Sequence, residues 1–244
     1  MTVISSEQEG GEARLAQLAG NLAAVRARIA VACEAAGRRP GEVELIAVTK
    51  TFPARDVLLL NQLGVGDFGE NRDQEAAPKA AECAAAGLEA RWHFVGQLQV
   101  NKAGSVASYA DVVHSVDRAR LVTALGHRAS AAGREIACLV QVSLDGAGGR
   151  GGAPEDEVFG LAGQIDAEPG LSLAGVMAVA PLGARPRPAY ARLREIAESV
   201  RAAFPSATAI SAGMSADLDE AIAEGATHVR IGTALLGGRR AFVR

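Results

Sequence analysis

The feature of this chain that most constrains its fold is a repeated alternation of two kinds of segment. From about residue 43 onward, short β-branched or apolar runs alternate with alanine-rich amphipathic stretches. The runs predict strands at Val43–Thr49, Val65–Phe68, Trp92–Val95, Val112–Val116, Ile136–Leu144, Leu173–Val179, Thr208–Ser211 and His228–Ile231. The stretches predict helices at Ala54–Leu63, Asn71–Ala86, Val100–Ser108, Arg118–Ala132, Pro154–Ala167, Pro188–Phe204, Ser215–Ala223 and from Thr233 onward. Eight successive strand–helix units favour an α/β fold, a single (β/α)₈ TIM barrel.

A doubly wound sheet would show a similar alternation, but with fewer strands and a glycine-rich first turn. The first predicted strand instead continues into TKTFPAR, without a GxGxxG or GxxxxGK(S/T) motif. Near-continuous apolar strands such as CLVQVSL and LAGVMAVA are typical of a parallel sheet that is covered on both faces. These features favour the barrel.

An additional helix is predicted before the barrel. Its apolar residues recur at spacings of three and four and form one stripe, made of Leu15, Leu18, Leu22, Val25 and Ile29. The helix is expected to end at Gly37, because glycine is favoured at helix C-termini. We expect residues 1–10 to be a flexible N-terminus and residues 11–244 to form one domain.

Composition excludes several classes of protein. Hydrophobic residues make up 49% and charged residues 22% of the 244, which excludes intrinsic disorder. No apolar run approaches the roughly 20 residues of a membrane-spanning helix. A net charge of −3 argues against a nucleic-acid partner. The N-terminus shows no secretory signal, and three distant cysteines fit neither a disulfide framework nor a zinc site, so we expect a cytoplasmic protein.

The carboxyl ends of barrel strands carry the functional residues of this fold, and Lys50 follows the first strand there. If apolar walls surround it, desolvation favours the neutral amine, which can attack a carbonyl carbon. The alternative is a rim lysine whose ammonium group lies in water.

The last two strands are each followed by a loop that is rich in glycine and hydroxyl residues. SAGMS contains Ser211, Gly213 and Ser215, and RIGTA contains Gly232 and Thr233. Exposed backbone N–H groups and hydroxyls at these positions would bind a phosphate. Alternatively, Ser215 and Thr233 only cap their helices. A lysine opposite a phosphate site points to a phosphorylated aldehyde.

Arg230 lies in the last strand, where an unpaired buried cation is costly. It needs either a carboxylate partner or an acceptor on a ligand. The ring nitrogen of pyridoxal phosphate (PLP) is such an acceptor. Because arginine keeps its proton, the pyridine would stay largely unprotonated and would be a poor electron sink. This pattern favours binding over carbanion chemistry.

Seven motifs in this order resemble the YggS/PROSC family of pyridoxal-phosphate homeostasis proteins, which have a barrel like the alanine racemase N-terminal domain. They are AVTKTFPARDV, FGENRDQE, WHFVGQLQVNK, HSVDR, GVMAVAP, SAGMSADLDEAI and HVRIGTALLGGR. The likeness extends from about Asn21 to Arg239. It implies that PLP forms a Schiff base with Lys50 and that Arg230 meets the pyridine nitrogen.

The resemblance also implies phosphate contacts from Ser211, Gly213, Ser215, Gly232 and Thr233. Asn71 and His93 would lie beside the cofactor, although a packed histidine is the alternative for His93, and Met177 would fill the barrel. One segment departs from the family, because DGAGGRGGAP places Arg150 where a lysine is often found. We therefore assign this loop no role in handing over the cofactor.

The resemblance implies a protein that binds and buffers PLP, with little or no catalytic activity. The main alternative is a weak amino-acid racemase. That reaction needs a tyrosine from a separate β-domain that we expect this chain to lack, and Tyr109 and Tyr190 fall in predicted helices. A Schiff-base aldolase would leave Arg230 without a task, and a pure scaffold would leave Lys50 unexplained. We expect a monomer, with delivery of PLP to apo PLP-dependent enzymes left open.

Overall fold

Strand pairing closes the predicted alternation into a barrel. In the computed structural model, which describes residues 2–144 and 151–238, eight parallel strands pair in chain order and β8 returns to β1. The strands are β1 (Glu44–Val48), β2 (Asp67–Glu70), β3 (Arg91–Phe94), β4 (Val112–Val116), β5 (Ile136–Gln141), β6 (Leu171–Met177), β7 (Ala209–Ser211) and β8 (His228–Ile231). The predicted (β/α)₈ barrel is confirmed, and all carboxyl ends of the strands meet at one mouth.

The helices follow the strands as predicted. They are α1 (Thr2–Ala35), α2 (Ala54–Gln62), α3 (Asp73–Ala85), α4 (Ala103–Tyr109), α5 (Ala119–Ala131), α6 (Glu155–Ala167), α7 (Pro186–Ala203), α8 (Leu218–Ala223) and α9 (Thr233–Leu236). The start of α8, predicted at Ser215, lies three residues later, at Leu218. An Asp217 carboxylate oxygen accepts the Met214 N–H at 2.7 Å, which closes a turn before the helix begins.

The additional N-terminal helix is also confirmed. Its apolar stripe is buried against the last two helices, where Leu18, Leu22 and Val25 share a cluster with Leu235 and Leu236. The helix is followed by Gly37, which has the left-handed φ of +67° expected at a helix C-terminus. Helix α1 begins at Thr2, within the segment for which we predicted flexibility; that flexibility and the division at residue 10 stay predictions.

Alternation along each strand sorts side chains between two layers. Outward residues such as Phe68 and Phe94 pack beneath the helices in two large apolar clusters. A small separate cluster of Val112, Leu139 and Met177 lies on the inner face. Met177 is 1% exposed, as expected for a residue that fills the barrel. The part of the inner face that forms the candidate site carries polar side chains instead.

Two further expectations from composition can be compared with the structure. Cys33, Cys83 and Cys138 are buried free thiols. Among the described residues, no helix combines the length and the apolar character needed to cross a membrane.

Candidate functional site

Lys50 lies at the barrel mouth, two residues beyond the end of β1. Its side chain is exposed, so the apolar enclosure considered from the sequence is wrong for this structure. The full sequence contains three lysines, Lys50, Lys79 and Lys102. Lys79 pairs with Glu70, and Lys102 lies 3.8 Å from a carboxylate oxygen of Asp73. Within the described part of the chain, only the Lys50 ammonium group has no such partner.

The backbone on the C-terminal side of Lys50 is strained. Thr51 has a φ of +68°, the left-handed region that a β-branched residue rarely adopts. Its N–H donates a hydrogen bond to a Glu75 carboxylate oxygen at 3.1 Å, which helps to hold this conformation. Strain of this kind is often found at functional sites, where the surrounding structure maintains it.

The backbone on the N-terminal side of Lys50 is fixed by a buried ion pair. The Lys79 ammonium group donates to the Thr49 carbonyl oxygen at 2.8 Å and to a Glu70 carboxylate oxygen at 2.5 Å. The Thr49 hydroxyl donates to that same carboxylate oxygen at 2.7 Å. Burial raises the pKa of Glu70, and the nearby Lys79 charge opposes this rise. Lys50 therefore projects from a fixed segment of backbone.

The two glycine-rich loops at the ends of β7 and β8 come together as the sequence predicts. The Ser215 hydroxyl accepts a hydrogen bond from the Ala234 N–H at 3.3 Å, so it links the loops instead of capping α8. The backbone N–H of Arg230 donates to the Gly213 carbonyl oxygen at 3.0 Å. Gly213 has a φ of +89°, and a Cβ there would lie 2.7 Å from the Ala221 Cβ. Glycine is therefore required at this position.

Gly232 and Thr233 bring β8 close to Lys50. Strand β8 pairs with β1, and a Cβ on Gly232 would lie 3.2 Å from the Val48 carbonyl oxygen. Thr233 is exposed and begins α9. The end of the lysine-bearing strand is thus next to the second glycine-rich loop.

Arg230 is buried in the barrel at 5% exposure. Its guanidinium donates to the Ser211 hydroxyl at 2.6 Å and to the Ala178 carbonyl oxygen at 2.9 Å. No salt bridge to Arg230 is present among the residues that the structure describes, so the carboxylate partner considered from the sequence is absent there. Burial lowers the pKa of Arg230 to about 10, which still leaves it charged at neutral pH.

His93 lies inside the barrel with both ring nitrogens engaged. Nε2 is 2.9 Å from a carboxylate oxygen of Asp67, and Nδ1 is 2.9 Å from Nε2 of His114. His114 in turn contacts the Ser211 hydroxyl at 2.9 Å. His93 is therefore separated from Arg230 by two side chains, and its direct contact with a cofactor stays a prediction.

Asn71 follows β2 and lines a cavity of about 210 Å³ together with Phe94, Gln97 and Lys102. Its Oδ1 atom is buried, and among the described residues no group donates to it. An unsatisfied buried acceptor is costly, so this position suits a ligand that donates or a bridging water. Arg150, to which we assigned no role, lies outside the described residues.

Three residues near the site were missed from the sequence. His114, Lys79 and Arg28 all lie in segments that read as ordinary strand or helix. Arg28 of α1 donates to the Ser215 carbonyl oxygen at 2.6 Å and so helps to fix the first glycine-rich loop. The acidic end of β2 was an available signal for Lys79, because a buried Glu70 requires a cation or a proton. Among the described residues, no cluster of metal-ligating side chains is found.

The chain matches a known protein family over most of its length. The family model described as alanine racemase, N-terminal domain, matches residues 20–240. A pyridoxal phosphate homeostasis protein of Mycobacterium tuberculosis H37Rv is 48% identical, and the match covers 93% of this chain and 95% of that protein. The protein of the same name from Escherichia coli K12 is 38% identical, covering 91% of this chain and 97% of its own length.

Solved structures of related proteins have a similar fold. PipY of Synechococcus elongatus with PLP bound is 34% identical, with a TM-score of 0.80 over 91% of this chain and all of PipY. Alanine racemase from Corynebacterium glutamicum has a TM-score of 0.66 but only 15% identity, over 91% of this chain and 60% of the racemase. The second likeness shows a shared barrel fold and nothing more.

Proposed function

The chain belongs to the alanine racemase N-terminal domain family and, within it, to the pyridoxal phosphate homeostasis proteins, and on this premise we propose that it binds PLP at the barrel mouth through Lys50. PLP supplies an aldehyde, whose carbon bonds to a lysine amine with loss of water. The observation that carries the proposal is the free Lys50 amine at the mouth. The other two lysines of the sequence are both paired with carboxylates.

The residues around Lys50 suit PLP. Arg230 offers only donors, and its buried guanidinium has no salt bridge among the described residues, so an unprotonated ring nitrogen is a fitting acceptor. The two glycine-rich loops, joined by Ser215 and Ala234, suit a phosphate. We propose phosphate contacts from Gly213, Ser215, Gly232 and Thr233. Ser211, which was expected among them, is left out of this proposal because its hydroxyl already bridges Arg230 and His114.

We further propose that the protein buffers PLP rather than acting as a racemase. Arg230 remains charged and cannot supply a proton to the ring nitrogen, which keeps the ring a weak electron sink. The Tyr190 hydroxyl donates to Asp217 at 2.8 Å. Tyr109 ends α4, and its hydroxyl oxygen is buried. One hydroxyl is thus engaged with Asp217 and the other is buried, which argues against either tyrosine as a second acid or base.

The same geometry bears on partners and location. We propose that the protein is a monomer. Lys50 is exposed, which supports release of PLP to apo PLP-dependent enzymes. Three buried free thiols favour a reducing compartment, so we propose the cytoplasm.

Borohydride trapping tests the proposal. The purified protein is incubated with PLP, its absorption spectrum is recorded, and borohydride then fixes any cofactor for peptide mass mapping. We expect a yellow protein that is bleached by borohydride and carries the label on Lys50. Lys50→Arg should lose the label, whereas the matched variant Lys102→Arg at the same mouth should keep it. A protein that stays colourless, or a label on another amine, would contradict the proposal.

A further inference from the structure

Five side chains form a continuous hydrogen-bonded chain through the inside of the barrel. Arg230 contacts Ser211 at 2.6 Å, Ser211 contacts His114 at 2.9 Å, and His114 contacts His93 at 2.9 Å. His93 then contacts Asp67 at 2.9 Å. Asp67 is the first residue of β2, at the amino-terminal end of the barrel and away from the mouth. We call this set the Arg230–Asp67 chain.

The two ends of the Arg230–Asp67 chain, with neutral histidine rings between them, define the direction of every hydrogen bond in it. A guanidinium can only donate and a carboxylate can only accept. Asp67 accepts from Nε2–H of His93. When both rings are neutral, Nδ1 of His93 accepts from Nε2–H of His114, and Nδ1 of His114 accepts from the Ser211 hydroxyl, whose oxygen accepts from Arg230. Each neutral ring then carries its proton on Nε2.

Burial supports the neutral rings. His93 and His114 are 1% and 0% exposed, and burial lowers the pKa of both below the ordinary value. The Arg230–Asp67 chain thus has a buried positive charge at Arg230 and a negative charge at Asp67, with three neutral groups between them. Chains of this kind polarise each member in a low-dielectric interior.

Asp67 is accessible at its own end. Its side chain is 28% exposed and lines a cavity of about 380 Å³ beside Arg26, Glu44 and Gly66. Replacing its carboxylate therefore leaves the packing of the barrel interior largely intact. Glu44 lies at the same end of the barrel and contacts Nε2 of His228 at 3.1 Å, but it is not part of the chain.

We propose that Asp67, His93, His114 and Ser211 are positioning residues that hold the Arg230 guanidinium toward the ring nitrogen of PLP, so that a carboxylate at one end of the barrel controls cofactor affinity at the other. This inference rests on the proposed function. The Arg230–Asp67 chain orients the guanidinium through Ser211. The guanidinium N–H groups that do not donate to Ser211 or Ala178 are then directed to the ligand. Loss of the carboxylate lets the neutral rings change tautomer and releases Ser211 from a single orientation.

Substitutions of Asp67, which lies away from the mouth, test the proposal through their effect on PLP affinity. We expect Asp67→Asn and Asp67→Ala each to weaken PLP binding about fivefold or more, the lower end of coupling between distant sites. The control Glu44→Gln, which removes a carboxylate of the same end, should bind PLP as the wild type does. Unchanged affinity in both Asp67 variants would overturn the proposal.

An analogue separates positioning from a general structural effect. In the deaza analogue of PLP, C–H replaces the ring nitrogen and cannot accept from Arg230. The Asp67 variants should bind this analogue as well as the wild-type protein does. An equal loss of affinity for PLP and the analogue would show a general disturbance of the site and would overturn the positioning role.

Nitrogen-15 NMR of the histidine rings tests the chain without any cofactor. The wild-type protein should show His93 and His114 as neutral Nε2–H tautomers, and Asp67→Ala should change the tautomer of His93. Charged rings, or the opposite tautomers in the wild type, would overturn the proposal. A wild-type protein that shows these tautomers but does not bind PLP would refute the proposed function while the chain itself stands.

Discussion

The ammonium nitrogen of Lys79 lies 2.8 Å from the carbonyl oxygen of Thr49, the residue that immediately precedes Lys50. A buried lysine in the middle of α3 thus fixes the backbone from which the exposed lysine projects. Glu70 completes the arrangement by accepting from both Lys79 and the Thr49 hydroxyl. The two lysines therefore have different environments: Lys79 is buried and holds the backbone, and Lys50 is exposed at the mouth.

Lys79→Met should strongly destabilise the protein. The substitution leaves the Glu70 carboxylate buried at 0% exposure without its cation. Removal of one partner of a buried pair costs about 3–5 kcal/mol. Chemical denaturation measures this as a fall in the free energy of unfolding.

Two further variants give this measurement its control. Lys102→Met removes a half-exposed partner of Asp73 at 3.8 Å and should change the free energy of unfolding by less than about 1 kcal/mol. The double variant Lys79→Met with Glu70→Gln should recover part of the loss, because no charge is left unpaired. Equal effects for the two single lysine variants would show that the buried pair contributes nothing special.

The pH dependence of stability should reflect the two buried histidines. Burial lowers the folded-state pKa of His93 and His114, while the unfolded chain keeps the ordinary value of 6.5. Below that value the unfolded chain binds more protons, so stability is fully present above pH 6.5 and is lost as the pH falls. Each histidine contributes up to about 1.4 kcal/mol per pH unit. Glu70 has the opposite sign, because its pKa is raised, but it is one group against two.

Urea titrations between about pH 8 and about pH 5.5 would measure this slope. A free energy of unfolding that stays constant across this range would contradict the neutral state that we assign to the two rings.

Much of the fold follows from the sequence because strand–helix alternation is a local signal. Strand β8 matches its predicted limits, and β1 begins and ends one residue inside the predicted run Val43–Thr49. Lys50 and the glycine-rich loops also followed, since their place at strand ends is set by chain order and by closure of the barrel. Direct contact of these residues with PLP stays a prediction.

The contacts inside the barrel did not follow from the sequence. His93 and His114 are 21 residues apart on neighbouring strands, and only the β3–β4 register brings their rings within hydrogen-bond distance. Ser215 was open to interpretation as a helix cap. The turn closed by Asp217 delays the helix, and the Ser215 hydroxyl instead meets Ala234 across the site. Such relationships depend on tertiary geometry that no spacing encodes.

Gly213→Ala should disrupt the first glycine-rich loop. A left-handed φ of +89° costs an L-residue about 1–2 kcal/mol. The added methyl group would also lie 2.7 Å from the Ala221 Cβ, and such overpacking costs about 1–3 kcal/mol more. We expect both a lower free energy of unfolding and loss of PLP binding.

Gly225→Ala provides the matched control for that prediction. Gly225 has a similar φ of +93°, but a Cβ there would meet nothing closer than 3.8 Å. The variant should therefore lose only the free energy of unfolding that the left-handed backbone costs an L-residue, and it should retain PLP binding. If the two alanine variants lose equal stability and both still bind PLP, close packing at Gly213 does not shape the site.

Thr51→Gly should separate stability from cofactor binding. The φ of +68° strains a β-branched residue, and glycine adopts it freely, so the gain of about 1–2 kcal/mol is partly offset by the entropy of glycine, about 0.5–1 kcal/mol. We expect a free energy of unfolding equal to or slightly above that of the wild type. PLP affinity should fall, because the segment that carries Lys50 becomes free to sample other conformations. Thermal denaturation and PLP titration of the same samples measure the two effects. A less stable variant with unchanged PLP affinity would show that the left-handed backbone at Thr51 neither stores strain nor positions Lys50.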